Sequence, residues 1–181
     1  MSRTQYFTAT SLDGFVADAD ESLDWLKDPD DPADTTYADF IRDVGAIAMG
    51  SSTYEWIRRH LTTTGDPWPY TQPTWVFSLK ARESVPGASI HFAQGDVRSV
   101  HAQMRAVAGD KNLWIAGGGD LAGQFHDAGL LDDCFFQVSL ATLGAGKPLL
   151  PRRIVGAMRL VSVRPIGTNM VAMHLRIEHD R

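Results

Sequence analysis

The chain has little of what several large protein classes depend on. Its 181 residues include one cysteine, Cys134, so no intrachain disulfide can form and no cysteine cluster can bind zinc. The six histidines are scattered, and none lies in the HExxH spacing of a metalloprotease. We therefore expect no metal centre, and we interpret Cys134 as a buried thiol in an apolar segment.

Clustered positive charge and long apolar runs are also missing. The 17 lysines and arginines stand against 22 aspartates and glutamates, which gives a net charge of -5 without any basic run. Binding to nucleic acid needs clustered positive charge, so we expect no nucleic-acid partner. No segment reaches the ~18 apolar residues of a membrane helix, and MSRTQYFTATSLDG lacks the apolar core of a signal peptide. We expect a cytoplasmic protein with no membrane partner.

Apolar residues, in contrast, are plentiful. They make up 44% of the chain and include five tryptophans and eight phenylalanines, which suits one ordered core. Two stretches, 18–34 and 62–73, are rich in turn-forming residues but too short to link domains. We predict a single domain over residues 1–181.

Hydrophobic periodicity predicts strands that alternate with helices, followed by a run of strands. The predicted strands are 6–10, 46–49, 74–77, 90–92, 113–116, 135–140, 160–163 and 171–177, the last two forming an antiparallel pair around a turn at 167–169. The predicted helices are 34–43, 53–61, 97–107 (capped by Asp96 and ended by Gly109) and 121–128. This order predicts an α/β fold in three layers, with a mixed, mostly parallel sheet, helices on both faces and an antiparallel C-terminal edge.

The stretch WIAGGGDLAGQF places three glycines between an apolar strand and a helix that begins at Gly119 or Asp120. Glycine costs backbone entropy there, so some close approach to the main chain must require it. Free N–H groups at a helix N-terminus bind anions, which makes a phosphate the first candidate. The spacing is not GxGxxG, so an ordinary Rossmann domain is disfavoured. A tight turn without a ligand is the alternative.

A second junction of this kind is IAMGSSTYE, in which Gly50 follows an apolar strand. Ser52 and Glu55 match the capping box S-x-x-E, which predicts the start of a helix. The N–H groups and hydroxyls of Ser51, Ser52 and Thr53 are candidates for a second phosphate site, with a plain capping box as the alternative. Two such junctions fit the two ends of a dinucleotide.

Two further stretches carry candidate ligand contacts. FSLKAR offers a hydroxyl and two cations, from Ser78, Lys80 and Arg82, which suit a ribose phosphate; ordinary exposed basic residues are the alternative. TSLDGFVAD has a turn at Asp13-Gly14 before small apolar residues, which suits a loop across a bound ring. A simple turn at a strand end is the alternative there.

In this order the elements resemble the dihydrofolate reductase-like superfamily, and most closely the reductase domain of bifunctional riboflavin-biosynthesis deaminase–reductases. That group shows S-L-D-G after the first strand, then M-G-R-x-T-Y-E, V-x-S, I-x-G-G-G and G-x-G-x-P-L-[LF]. The matching segments here are 11–14, 49–55, 76–78, 115–119 and 144–150. Each motif is weak alone, but their order and spacing over about residues 3–177 make the set specific.

The resemblance implies a reductase that binds NADPH and transfers hydride to a small heterocycle, similar to the reductase of riboflavin biosynthesis or dihydrofolate reductase. By position, the first strand and its loop border the nicotinamide, and the second junction follows the adenosine side. Ser78 faces the adenine ribose, and the glycine run holds the diphosphate. The implied cofactor-binding residues are Ala9, Thr10, Val16, Gly50, Ser51, Ser52, Thr53, Ser78, Lys80, Ala116, Gly117, Gly118, Gly119, Asp120 and Leu121.

One position departs from the group's pattern. The usual arginine after Gly50 is Ser51 here, and in the family that arginine is placed to meet the 2′-phosphate of NADP. Lys80 or Arg82 are candidates to replace it, and the use of NADH stays open.

The substrate side is less defined by the resemblance. Asp34 and Asp39 fall near the place of the carboxylate that polarises the pterin in dihydrofolate reductase, so both are catalytic candidates; solvated carboxylates, or an N-cap at Asp34, are the alternatives. Asp13 is a third candidate for contact with the substrate. Trp25 and Tyr37 suit stacking on a flat ring or a place in the core.

Two functions from different classes remain. The leading one is an NAD(P)H-dependent reductase of a small substrate, and the alternative is a non-catalytic nucleotide- or small-ligand-binding module on the same fold. A hydrolase is disfavoured because neither G-x-S-x-G nor S-x-x-K occurs. The resemblance also implies a homodimer, with the terminal strand pair as a candidate interface.

Overall fold

The computed structural model describes residues 2–154 and 158–179. Its strands are β1 (Thr4–Thr10), β2 (Phe15–Ala17), β3 (Val44–Gly50), β4 (Thr74–Phe77), β5 (Ile90–Ala93), β6 (Asn112–Gly117), β7 (Asp133–Ser139), β8 (Lys147–Pro148), β9 (Met158–Ile166) and β10 (Met170–Ile177). Its helices are α1 (Thr36–Arg42), α2 (Ser51–Thr64), α3 (Val97–Ala108) and α4 (Gly119–Asp127).

Eight of the strands form one sheet in the order β5-β4-β3-β6-β1-β7-β10-β9, and β2 pairs separately with β8. The strands from β5 to β7 are parallel to one another. β10 runs antiparallel to both β7 and β9 and so forms the antiparallel C-terminal edge. The predicted mixed, mostly parallel sheet is confirmed.

Helices cover both faces of the sheet. Tyr6 and Phe7 are neighbours in β1, so their side chains point to opposite faces. Tyr6 joins a buried cluster with Met104 of α3 and Phe125 of α4. Phe7 joins a second cluster with Ile57 of α2, against which residues of α1 also pack. The three predicted layers follow from this alternation.

Several local predictions are also confirmed. The Asp96 carboxylate accepts a hydrogen bond from the Arg98 N–H and caps α3, and Gly109 ends that helix with a positive φ of 60°. Cys134 is fully buried, and burial raises the pKa of its thiol to about 12. The thiol is therefore protonated and unreactive at neutral pH.

The beginnings of two helices were predicted wrongly. α1 begins at Thr36 rather than Asp34, because the Asp34 carboxylate accepts a hydrogen bond from the Thr36 N–H and forms a turn before the helix. α2 begins at Ser51, and the predicted capping box is wrong because no side chain that the structure describes caps this helix. Glu55 pairs with Arg82 instead of reaching back to the helix N-terminus.

β7 begins two residues earlier than predicted because a buried charge is neutralised there. Asp133 is 1% exposed, and its carboxylate pairs with Arg3, His174 and Arg176. Burial alone would raise the pKa of Asp133, but the hydrogen bond from His174 and the charge of Arg3 hold it below the usual aspartate value. The same contacts tie β10 to β7, so an aspartate is accommodated inside a strand.

Candidate functional site

Two helix N-termini adjoin at the carboxyl edge of the sheet. β3 ends at Gly50 just before α2, and β6 ends at Gly117 just before α4. β3 and β6 are parallel neighbours, so these two junctions lie side by side. A β-carbon built at Gly50 would lie 3.7 Å from the backbone nitrogen of Gly118. The sheet therefore brings together the two junctions that the sequence analysis singled out.

Both of these helices lack the cap that a helix N-terminus normally has. Their N-cap residues are Gly50 and Gly118, and no side chain among residues 2–154 and 158–179 caps either helix. α3, by contrast, is capped by Asp96, whereas the short helix α1 resembles α2 and α4 in having no side-chain cap among the described residues. The first N–H groups of α2 and α4 therefore have no intrahelical or side-chain cap partner, and the helix dipoles add positive potential. An anionic group is the ligand that such a pair of termini would bind.

Both termini open into one large cleft of about 920 Å³. Its walls are the two junctions, the loop after β4, the loop after β5, one face of β1, and the strap formed by β2 and β8. The lining residues include Tyr6, Thr8, Val16, Ala17, Glu21, Leu23, Gly50, Ser51, Ser52, Thr53, Trp56, Ser78, Lys80, Arg82, Gln94, Ala116, Gly117, Gly118, Gly119, Asp120, Leu121, Lys147 and Pro148.

The three glycines of the run have different structural roles. A β-carbon at Gly119 would overlap the carbonyl oxygen of Leu149, so neighbouring backbone requires glycine there. Gly117 has a φ of +150°, and a β-carbon on it would lie 2.8 Å from Oγ1 of Thr53. A β-carbon at Gly118 would meet no atom of the described part of the chain within 4 Å, and its peptide bond to Gly117 is cis. Only Gly118 leaves open space beside the backbone for a ligand.

Asp120 lies in the first turn of α4, where its charge would repel an anion. Its carboxylate is held by Arg152, with Nε and Oδ1 2.7 Å apart, and by the Gln124 amide at 2.8 Å. These hydrogen bonds lower the pKa of Asp120. Arg152 also pairs with Asp127 at 2.8 Å, so it offsets only part of the Asp120 charge beside the first turn of α4.

The far end of the cleft carries the cationic residues of FSLKAR. The Ser78 hydroxyl donates to the Lys80 carbonyl and accepts from Nε of Arg82 at 3.2 Å. Arg82 also pairs with Glu55 at 3.1 Å, so it is oriented but already neutralised. Lys80 is exposed and has no ion-pair partner within residues 2–154 and 158–179. Lys80 is thus the cation most free to meet a ligand phosphate.

Most of the cofactor-binding residues implied by the resemblance line this cleft. Two do not: Thr10 is buried with its hydroxyl on the Phe15 carbonyl, and Ala9 lies outside the lining. The neighbouring β1 residue Thr8 lines the cleft instead. Asp13 also lies away from it, because its carboxylate accepts hydrogen bonds from the Gly144 N–H and the Ser11 hydroxyl.

The two predicted catalytic carboxylates lie elsewhere. Asp34 pairs with Arg164 at 3.4 Å, and its carboxylate accepts a hydrogen bond from the N–H of Thr36, the first residue of α1. Asp39 accepts from the Thr35 hydroxyl and lines a second, smaller pocket of about 320 Å³ between α1 and strands β7, β10 and β9. The structure does not bring either carboxylate to the large cleft, so their catalytic role stays a prediction.

The two predicted stacking residues are also outside the cleft lining. Tyr37 packs 6.0 Å from the rings of both Phe7 and Trp114, on the aromatic side of the second core cluster. Trp25 is half-buried, and its indole nitrogen has no hydrogen-bond partner in the described part of the chain. The aromatic rings that line the cleft are those of Tyr6, Phe77 and Trp56 of α2.

Sequence reasoning missed Trp56, Glu21 and Lys147, which all line the cleft. Trp56 lies four and three residues after Ser52 and Thr53 on α2, and that spacing would have indicated it, because it places all three on one helix face. Glu21 and Lys147 meet only because β2 pairs with β8, and strands of three and two residues carry no periodic pattern. Within residues 2–154 and 158–179, no group of three or more metal-binding side chains occurs.

The comparisons with known proteins agree with this geometry. The family model of the RibD C-terminal domain matches residues 4–172. The chain belongs to the RibD C-terminal domain family. The uncharacterized protein YwjB of Bacillus subtilis strain 168 is 31% identical over 147 residues, which is 81% of this chain and 82% of YwjB.

Solved structures show the same fold in other members of the wider group. A Shewanella sp. PV-4 protein, provisionally named as a riboflavin biosynthesis protein, has a TM-score of 0.82, 25% identity, and coverage of 98% of this chain and 99% of its own. The Thermotoga maritima deaminase and 5-amino-6-(5-phosphoribosylamino)uracil reductase has a TM-score of 0.69 and 16% identity, covering 97% of this chain and 56% of its own.

Dihydrofolate reductase from Enterococcus faecalis, complexed with NADP(H) and RAB-propyl, has a TM-score of 0.68, 14% identity, and coverage of 98% and 97%. The protein therefore has the dihydrofolate reductase-like fold. No helix within residues 2–154 and 158–179 has the length and apolar character to cross a membrane.

Proposed function

We propose that the protein is an NAD(P)H-dependent reductase that transfers hydride to a small heterocyclic substrate. The observation that carries this proposal is the meeting of two uncapped helix N-termini, those of α2 and α4, in one cleft. The size of the cleft, about 920 Å³, suits a large bound ligand. Family membership and the fold support the reductase class.

The residues present fit a nicotinamide dinucleotide. The N–H groups of Gly119, Asp120 and Leu121 would hold a diphosphate beside the open Gly118, and Arg152, which is shared with Asp127, offsets part of the charge of Asp120 there. The first turn of α2 and the Ser78 hydroxyl would bind the adenosine half. The bound cofactor supplies the hydride, while the strap at Val16 and Ala17 would cover the reacting rings and exclude water.

We further propose that Lys80 gives a preference for NADPH. Ser51 stands where related sequences carry an arginine, and Arg82 is already neutralised by Glu55. Lys80 is the exposed cation on the same wall of the cleft. Its ammonium would pair with a 2′-phosphate, as charge-assisted contacts to phosphate commonly do.

The alternative is a non-catalytic module that binds a nucleotide or a small ligand in this cleft. The observation that favours it is that both carboxylates lining the cleft, Glu21 and Asp120, are engaged in ion pairs. A reductase on this site would then draw the proton from water rather than from a side chain.

Oxidation of NADPH in the presence of small pyrimidine and pteridine substrates separates the two functions. The Thermotoga reductase acts on 5-amino-6-(5-phosphoribosylamino)uracil, so that compound and dihydrofolate are the first substrates to test. A fall in the absorbance of reduced nicotinamide that occurs only when a substrate is present supports the reductase. Saturable NADPH binding without turnover on any of them supports the binding module.

A further inference from the structure

A carboxylate lies in the first turn of α4, on the side that faces the cleft. Asp120 is the second residue of that helix, and its side chain is 61% exposed where it lines the cleft. Hydrogen bonds from Arg152 and Gln124 lower the pKa of the carboxyl, so the group is ionised at neutral pH. A negative charge therefore lies beside the N–H groups that the proposed function assigns to a ligand diphosphate.

One arginine serves two carboxylates along α4. Nε of Arg152 lies 2.7 Å from Oδ1 of Asp120, and its Nη1 lies 2.8 Å from Oδ2 of Asp127, two turns further along the helix. The aliphatic part of Arg152 crosses α4 at Gly123, where a built β-carbon would lie 2.3 Å from the arginine Cδ. One guanidinium against two carboxylates leaves this cluster with one negative charge.

The helix itself gives one reason for a carboxylate in its first turn, because a negative charge there stabilises the helix dipole. A carboxylate on the outer side of the turn would do this equally well. Asp120 instead lines the cleft together with Gln124, whose amide donates to its Oδ2 at 2.8 Å. From this position the charge acts on a bound anion as well as on the helix.

The repulsion between this carboxylate and a bound phosphate grows with the charge of the phosphate. Each phosphate of a dinucleotide is a diester with a single negative charge. The terminal phosphate of ADP or ATP is a monoester, which carries about 1.5 to 2 negative charges at neutral pH. These nucleotides share the adenosine half of the dinucleotide and so compete for the same end of the cleft. An unfavourable charge that acts more strongly on the competitor gives specificity.

We propose that Asp120 is a specificity-determining residue, which favours the diester diphosphate of a dinucleotide over nucleotides that end in a phosphate, such as ADP and ATP. Arg152 sets the strength of this discrimination, because it offsets only part of the Asp120 charge. The proposal rests on the proposed function, since it assigns the same first turn of α4 to the ligand diphosphate.

The test is calorimetric titration with NADH, ADP and ATP. The three ligands carry the same adenosine without a 2′-phosphate, so the proposed contact with Lys80 does not distinguish them. The buffer contains no divalent cation, because such a cation would mask the charge of the phosphates. The measured quantity is the ratio of ATP affinity to NADH affinity in each protein.

The variants separate the charge of residue 120 from its shape. Asp120→Asn removes the charge at nearly constant volume, Asp120→Glu keeps the charge, and Arg152→Gln removes the cation that offsets it. Asp110→Asn is the matched control, since Asp110 is an exposed aspartate in the turn before β6 and does not line the cleft. It changes the net charge of the protein by the same amount.

We expect Asp120→Asn to strengthen ATP binding roughly fivefold and NADH binding by less than about twofold. Asp120→Glu should keep the wild-type ratio within about twofold, and Arg152→Gln should weaken ATP binding roughly fivefold. Added salt should reduce these differences, because an exposed charge is screened. Asp110→Asn should leave the ratio unchanged.

A ratio that Asp120→Asn leaves unchanged overturns the proposal. An equal change in Asp120→Glu overturns it too, because the effect would then be steric, and Asp120 would serve the helix alone. Failure of the proposed function has a different signature. In that case neither NADH nor NADPH saturates the wild type, while ATP binding that tightens in Asp120→Asn still shows the charge effect at α4.

Discussion

The carbonyl oxygen of Leu149 occupies the space that a side chain at residue 119 would need. The glycine run is therefore shaped in part by the segment after β8, which packs against the start of α4. The open space beside Gly118 is the part of the run that a ligand can approach. Replacing each of these two glycines separates the structural requirement from the binding role.

Gly119→Ala should destabilise the fold, because its methyl group would overlap backbone that cannot rotate away. We expect a loss on the order of 2 kcal/mol in the free energy of unfolding. Urea unfolding measures it. If Gly119→Ala is as stable as the wild type, the backbone at Leu149 can move aside at little cost in free energy.

Gly118→Ala is the matched change at the neighbouring residue. Its φ of -87° suits alanine, so stability should change by no more than about 1 kcal/mol. The added methyl group would face the cleft, and we expect NADPH to bind roughly tenfold more weakly, a loss of about 1.4 kcal/mol. Unchanged affinity would place the diphosphate away from α4.

Lys80→Gln should reduce the preference for NADPH over NADH. Loss of the free ammonium should weaken NADPH binding roughly tenfold and leave NADH within about twofold. Titration of both cofactors measures the ratio. Lys111→Gln is the control. Lys111 lies just before β6, at the end of that strand away from the cleft, and its ammonium donates to the Arg42 carbonyl. An equal loss for both cofactors would assign Lys80 to a general electrostatic role.

Asp34→Asn and Asp39→Asn test the carboxylates that the family resemblance implies as catalytic. Both lie outside the large cleft, so we expect cofactor binding to be unchanged. Asp34→Asn should cost about 1 kcal/mol of stability through its contacts with Thr36 and Arg164. Turnover abolished in a stably folded Asp34 or Asp39 variant would show that substrate reaches the α1 side.

Asp133 should make the fold sensitive to acid. Its folded-state pKa lies below the usual aspartate value, so its contribution to stability is present above that usual value and is lost as pH falls through the lowered one. Asp133→Asn should cost on the order of 2 kcal/mol at neutral pH. The variant's urea midpoint should then fall less steeply than the wild type's below about pH 4. If the urea midpoints of the variant and the wild type fall in parallel with pH, the acid sensitivity does not come from Asp133.

Periodicity predicted the sheet and its layers because strands such as β3 and β6 are continuous apolar runs that only a buried position explains. The two glycine junctions were also visible, since each ends such a strand. The residues that other parts of the chain contribute to the cleft lining were not visible in the sequence. Glu21 and Lys147 are 126 positions apart and meet through two short strands, and that pairing leaves no pattern in the sequence.

The edge strand β9 makes the implied homodimer testable. Leu160, Val161 and Val163 are each between 43% and 58% exposed on this strand. Exposed apolar edge strands are templates for pairing with another chain. We propose that two copies associate there, and we expect light scattering to give twice the mass of one chain. Val163→Lys should shift the protein to monomer, whereas a monomeric wild type would contradict the proposal.

We propose that the cleft with two uncapped helix N-termini binds a nicotinamide dinucleotide. The decisive experiment is calorimetric titration of the wild type and of Gly118→Ala with NADPH. We expect one saturable site per chain, weakened roughly tenfold by the added methyl group. Absence of saturable binding, or an affinity that the change at residue 118 leaves untouched, would contradict it.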